Sequence, residues 1–250
     1  MFRQEQSTGP VMERRPDSTT IRAALGKSAH FRALAAEDLD ALAALGRLRR
    51  FSDGEVAVRA GQRQHGLWFV VSGCLRLSST STRGNEFVYA MLGPGSYFGL
   101  GSMLHTRGTP TDVRAAGATT VAVLDYPAVI ALLDSRPRLW RHFAALLNRR
   151  LTIALEVLRD ISVAPLPQRI VRRLLGQAFS SGADLASSEP IELRLSQADL
   201  GRMLGTSRSR VNGVLKKLEE EGLVKVGYRA IFLRDVAKLR QLAGPEVFAF

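Results

Sequence analysis

Cysteine is nearly absent from this 250-residue chain: Cys74 is the only one. That excludes an internal disulfide, and any zinc or iron–sulfur site that takes several thiolates from one chain. A reducing cytoplasm is the expected compartment. Long apolar runs are missing too, since none approaches the ~18–20 residues that span a bilayer. No membrane is expected as a partner. The opening "MFRQEQSTGPVMERRPDSTT" has no apolar core of a secretory signal and reads as a polar tail over residues 1–20. Histidine is scarce and scattered: His30, His65, His105 and His142. An enzyme on a metal-dependent β-barrel would want a His-x-His pair with a nearby carboxylate, and no two of these histidines come close enough. No enzyme is expected.

One further absence is local. No acidic residue stands between Asp199 and Glu219, whereas Arg202, Arg208, Arg210, Lys216 and Lys217 all fall in that gap. The whole chain carries a net charge of +12, which favours polyanionic partners. That excess is spread out, with 14 basic and 9 acidic residues from Ala164 onward against 21 and 14 before it. The bulk charge therefore says little, and the gap says more.

What is present divides into three textures. "SAHFRALAAEDLDALAALGRLRRF" has helical spacing. From Phe51 to about Leu124, short apolar runs such as "GLWFVVSG" and "TTVAVLD" alternate with "SDGE", "STRGN" and "GPGS". Many short strands broken by glycine turns predict an antiparallel sandwich or barrel, placing a sensor-like domain over 21–135. A long helix then starts after "DSRP", with Pro137 suited to its first turn. On it, Trp140, Ala144, Leu147, Leu151, Ala154, Leu158 and Ile161 step by four and three, a heptad seam fit to pair with its own copy. Leu139, Phe143, Leu146, Ile153 and Val157 make a second stripe for the sandwich. The dimer helix is set at 136–163. Pro165 and Pro167 break it and open a C-terminal domain over 164–250.

In "LSQADLGRMLGTSRSRVNGVLKKLE", Ser196 caps one helix, Gly205 ends it in the left-handed conformation, and Thr206 or Ser207 caps the next. Val211, Val214, Leu215 and Leu218 then face inward, and Ser209, Asn212, Gly213 and Lys216 outward, with Arg208 and Arg210 flanking them. This is a helix-turn-helix, and "GLVKV" and "AIFL" follow as a two-stranded wing. Arginine can grip guanine and asparagine adenine with paired hydrogen bonds. Thr206, Ser207 and Gln197 sit where helix starts meet phosphates, and Gly213 lets the backbone approach closely. A solvated basic helix face explains the charge gap alone, but not the caps, the turn and the wing with it.

With those parts in that order, the chain resembles the Crp/Fnr family of bacterial transcription factors from about Ile21 to Ala243. "FSDGEVAVRAGQRQHGLWFVVSGCLRL", "LGPGSYFG" and "LSQADLGRMLGTSRSRVNGVLKKLEEEGLV" are similar to its opening strands, its glycine turn and its helix-turn-helix. The resemblance implies an α+β chain: an antiparallel, jelly-roll-like β-roll, a dimerisation helix and a C-terminal winged helix-turn-helix. It also implies a homodimer on a two-fold symmetric site in double-stranded DNA, and contact with RNA polymerase. Arg208 matches the family's leading base-reading position. Ser209 stands where many members have glutamate, and Gly213 where many have arginine. Members that bind cyclic nucleotides hold them with a glutamate after "FG" and an Arg-Ser or Arg-Thr pair. Here Leu100, between Gly99 and Gly101, takes the glutamate's place and Thr109-Pro110 the pair's, with Arg107 two or three residues early. Ala154 and Leu155 match the polar positions that receive the base. Cyclic AMP is therefore not expected, and a shifted Arg107 is the alternative under which it would bind. An iron–sulfur cluster is excluded by the single cysteine, haem on one histidine is the weaker reading, and an apolar effector or none fits the leucines.

Overall fold

The computed structural model describes residues 16–104, 107–181, 183, 185–186 and 189–244; His105 and most of the expected tail lie outside them. Helix α1 (Pro16–Lys27) begins inside the stretch read as a tail. Its first turn is tied down, because the Leu48 amide donates to Asp17 at 3.2 Å. After α2 (Ala36–Leu45) come eight strands: β1 (Gly46–Phe51), β2 (Val56–Val58), β3 (Gly66–Ser72), β4 (Leu75–Thr80), β5 (Glu86–Leu92), β6 (Tyr97–Phe98), β7 (Asp112–Ala115) and β8 (Thr119–Asp125). They form two antiparallel sheets, ordered β1-β8-β3-β6 and β2-β7-β4-β5.

The strands between the sheets alternate, as half-buried strands do. Phe51, Trp68, Val70, Leu75, Phe98, Val113 and Val121 fill the space between the sheets. Leu67, Phe69, Ala122 and Leu124, on the other face of the first sheet, meet helices α1, α2, α3 (Tyr126–Ser135) and α4 (Pro137–Val163). Gly73 turns the chain between β3 and β4 at φ +82°, where an added Cβ would lie 2.4 Å from the Ala118 carbonyl; only glycine fits.

Helix α4 starts with Pro137 in its first turn, as expected. Buried Asp38 of α2 fixes that start by accepting from Arg136 at 2.6 Å and Arg138 at 3.1 Å. The two stripes separate. Leu139, Phe143 and Leu146 are buried in the sensor core. From Leu151 onward the seam is bare: Leu151, Leu158 and Ile161 are all more than half exposed, Ala154 is exposed, and Leu155 beside the seam is more than half exposed too. Trp140 and Leu147, also assigned to the seam, pack partly on the sensor core.

The C-terminal unit comprises α5 (Leu166–Ser180), β9 (Ile191–Leu193), α6 (Gln197–Leu204), α7 (Arg208–Glu220), β10 (Val224–Gly227), β11 (Ala230–Leu233) and α8 (Val236–Ala243). Its core runs on without a break into Cys74, just before β4, and into Val88 and Met91 of β5.

Candidate nucleic-acid interface

The helix-turn-helix is built by local chemistry. Ser196 Oγ accepts from the Asp199 amide at 3.0 Å and donates to its carboxylate at 2.6 Å. Gly205 ends α6 in the left-handed region at φ +62°. Ser207, rather than Thr206, caps α7, accepting from the Arg210 amide at 3.3 Å; the Thr206 hydroxyl is buried, with no hydrogen-bond partner among the described residues. Val211, Leu215 and Leu218 are buried and Val214 half-buried, anchoring α7. Arg208, Ser209, Arg210, Asn212, Gly213 and Lys216 are exposed on the outer side, and Ser207 is exposed at the helix start. Space around Gly213 is open, since a Cβ there would meet nothing within 4 Å. Gln197 is half-buried at the first residue of α6.

Acid is kept off this face by geometry as well as by sequence. Asp199 turns inward, where Arg76 Nε of strand β4 donates to it at 3.0 Å. The same guanidinium pairs with Glu86, and Arg202 of α6 reaches Glu86 at 3.3 Å. Glu219, at the other end of α7, accepts from the Val226 amide at 2.9 Å. A cation face free of carboxylates suits the phosphate backbone, and the groups at its amino-terminal end suit base edges. The wing turns through Tyr228 and Arg229, with Gly227 and Ala230 paired. Tyr228 is 93% exposed at its tip. Arg229 holds φ +52° and leans toward Asp53, 4.0 Å away.

The residues assigned to an effector pocket each have a local place in the fold. Leu100 is 1% exposed, absorbed into the core beneath the first sheet. Gly99, at φ +92°, presents its carbonyl to the Tyr126 hydroxyl at 2.6 Å. Gly101 opens a short 3₁₀ turn ending at Leu104. Thr109 is buried and braces the turn after β2: its amide donates to the Gln62 carbonyl at 3.0 Å and its carbonyl accepts from the Gly61 amide at 2.8 Å. Arg107 is exposed and Leu155 faces outward on α4. Ala154 alone of the seven lines an arginine-lined cavity of ≈ 510 Å³ between α4, α5 and the β4–β5 face. The sequence missed that cavity, and also the ion cluster at Arg76, whose partner Asp199 stands 123 positions away. No local spacing signals such a pair.

These features match known proteins along most of the chain. Residues 48–136 match the cyclic nucleotide-binding domain and residues 168–242 the Crp-like helix-turn-helix domain. The HTH-type transcriptional regulator Cmr of Mycobacterium tuberculosis is 30% identical over 207 residues, covering 83% of this chain and 80% of that protein. The chain belongs to the Crp/Fnr family. The cyclic AMP receptor protein of Thermus thermophilus is likewise 30% identical, over 85% of this chain and 95% of its own length. FixK2 of Bradyrhizobium japonicum shares the fold with a TM-score of 0.68 at 19% identity, covering 80% of this chain and 98% of FixK2. As a Crp/Fnr protein, the chain is a DNA-binding transcription regulator. Among the described residues no helix is long and apolar enough to cross a membrane.

A polar contact joins this regulator's two halves. His30, after α1, lies 3.1 Å by Nε2 from the Ser180 carbonyl at the end of α5. Burial pushes its pKa from 6.5 down to about 4, with Arg149 and Arg150 adding to the shift. As pH falls below 6.5 the unfolded chain takes up this proton and the folded chain does not. Stability present above pH 6.5 is thus lost on the way to pH 4, on the order of 3 kcal/mol. Urea midpoints at pH 7.5 and 4.5 test this; wild type should lose that much more than His30→Gln, and equal losses contradict it.

Proposed function

We propose that the chain regulates transcription as a homodimer on a two-fold symmetric operator, without cyclic AMP. The exposed face of α7 carries this reading. Arg208 leads the base contacts, with Ser209, Asn212 and Gly213 beside it, and Ser207, Gln197 and Lys216 bind phosphates, whereas Thr206, expected to join them, has its hydroxyl buried and its amide bonded to the Gly201 carbonyl. The bare part of the α4 seam supports pairing of two chains, because Leu151, Leu158 and Ile161, with Leu155 beside them, are large apolar side chains that call for cover. RNA polymerase is the further partner that such a regulator engages. A small-molecule effector acting between sensor and reader is part of the same reading.

Arg208→Ala should weaken specific binding by roughly 1–3 kcal/mol and relax preference at one operator position, read by fluorescence anisotropy on single-base operator variants. An equal loss on random DNA would make Arg208 a phosphate contact instead.

A second reading has a specific support, the relative named as a cyclic AMP receptor protein. Under it, Arg107 holds the cyclic phosphate. The burial of Leu100 in the core argues against it, because a ribose phosphate pressed there would lack partners. Calorimetry with cyclic AMP should give no binding heat, and micromolar binding would establish the second reading.

A further inference from the structure

Two ion contacts tie the C-terminal reader to the sensor, and each takes a cation that a duplex could use. The first lies where α6 rests on β4 and β5. Arg76 of β4 is mostly buried, its Nε donating to Asp199 at 3.0 Å and its Nη2 to Glu86 at 2.8 Å. Arg202 closes the cluster, 3.3 Å from Glu86 and 3.4 Å from Asp199. Two guanidinium groups and two carboxylates leave it neutral. The hydrogen bonds from Arg76 hold the Glu86 carboxyl below the usual carboxylate range, so it is charged at neutral pH. The second contact is at the wing, where Arg229 stands 4.0 Å from Asp53 in the turn between β1 and β2. The Gly117 amide fastens the other oxygen of Asp53 at 2.7 Å.

Both cations sit where a reader meets phosphate. Arg202 is the one exposed residue of α6, and the first helix of a helix-turn-helix crosses the nucleic-acid backbone while the second enters the groove. Arg229 projects from the wing tip beside exposed Tyr228. Instead of phosphates, both meet sensor carboxylates, which offer a guanidinium the same kind of charged oxygen pair. The sensor can hold those acids in place because the docking does not depend on ions alone. The reader core packs on Val88 and Met91 of β5, and Gln177 Nε2 donates to the Met91 carbonyl at 2.8 Å.

We propose that Glu86 and Asp53 are built-in phosphate substitutes, an autoinhibitory contact through which the sensor competes with DNA for Arg202 and Arg229. Any shift that lifts α6 and the wing off the sensor frees one cation at each contact, and so raises the reader's affinity. The inference rests on the reading of α6, α7 and the wing as the DNA-contacting unit.

The full-length protein is titrated with a selected operator and with a random duplex over a series of potassium chloride concentrations, following fluorescence anisotropy. Each cation freed adds a phosphate contact. The plot of log affinity against log salt should steepen by about 0.9 per contact, and affinity at ~0.15 M salt should rise about fivefold. Glu86→Gln and Asp53→Asn should each give this gain in every chain, on operator and random duplex alike, because phosphates carry no sequence. Adding Arg202→Gln should cancel the gain of Glu86→Gln, and adding Arg229→Gln that of Asp53→Asn. Asp40→Asn removes the same charge from α2 and releases Arg22 of α1 instead, so slope and affinity should stay as they were. Asp53 and Arg229 are both exposed, so their arm reads even where Glu86→Gln loosens the α6 contact. An unchanged slope in Glu86→Gln and Asp53→Asn, a gain that survives loss of its arginine, or an equal gain in Asp40→Asn overturns the proposal. Wild type and variants that all ignore both duplexes sink the reading of the reader; binding that no variant alters sinks the contact alone.

Discussion

Replacing Leu151 with glutamate is expected to yield monomers and to cut affinity for a symmetric operator by roughly 10²–10⁴-fold, the factor gained when two half-site contacts are linked. Leu151 is 58% exposed and lies outside the cavity, so the chain's own core does not depend on it. Burying one leucine side chain contributes about 1.5–3 kcal/mol, and the seam offers Leu158 and Ile161 with it. A pair of glutamates brought together across a two-fold axis would add desolvation and repulsion to that loss. Light scattering reads the mass and anisotropy the affinity, while an unchanged circular dichroism spectrum shows the fold intact. A variant that remains dimeric refutes the seam.

The second large effect is expected at Gly201, where α6 meets the turn into α7. A Cβ there would lie 2.8 Å from the Thr206 carbonyl oxygen and 3.5 Å from the Arg208 amide. Both are backbone atoms, and the same turn is fastened by the Thr206 amide donating to the Gly201 carbonyl at 2.9 Å. The neighbour cannot swing away as a side chain could. Overpacking of this kind costs about 1–3 kcal/mol, and Gly201→Leu should reach about 3 kcal/mol. The loss should fall on the reader: operator binding disappears and the C-terminal unit becomes protease-sensitive, while the β-roll stays protected. Unchanged operator binding by Gly201→Leu would contradict this packing.

Much of the reader was legible because its signals are local. Ser196, Gly205 and Ser207 mark helix ends within four residues of the groups they satisfy, and the inward positions of α7 follow a 3.6-residue period. The seam of α4 is periodic in the same way; in one chain Leu151, Leu158 and Ile161 are exposed, while Trp140 and Leu147 pack partly on the core. Strand β9 was missed although Ile191, Leu193 and Leu195 alternate with Glu192 and Arg194; three residues are too few to stand out beside a polar loop. Helices α3 and α8 were passed over as well.

The expected effector pocket was read only from departures from a family pattern. Leu100, Thr109 and Leu155 depart from the pattern that the family resemblance implies for cyclic-nucleotide binding, yet nothing local shows that Leu100 joins the core beneath the first sheet. The arginine-lined cavity and the cluster of Arg76, Glu86, Asp199 and Arg202 depend on how two units dock. Spacing along the chain carries no trace of them. The inward turn of Asp199 is the clearest case: the sequence shows where acid is absent, and the fold shows how the nearest acid is kept away.

Selection of bound sites from a random duplex pool, with no ligand added, tests the central claim most directly. It should enrich an inverted repeat whose half-sites lie about one helical turn, ~34–36 Å, apart. Replacing Arg208 with alanine should erase the preference at one position in each half. A pool that stays random at low salt, or yields a single unpaired site, would contradict the account.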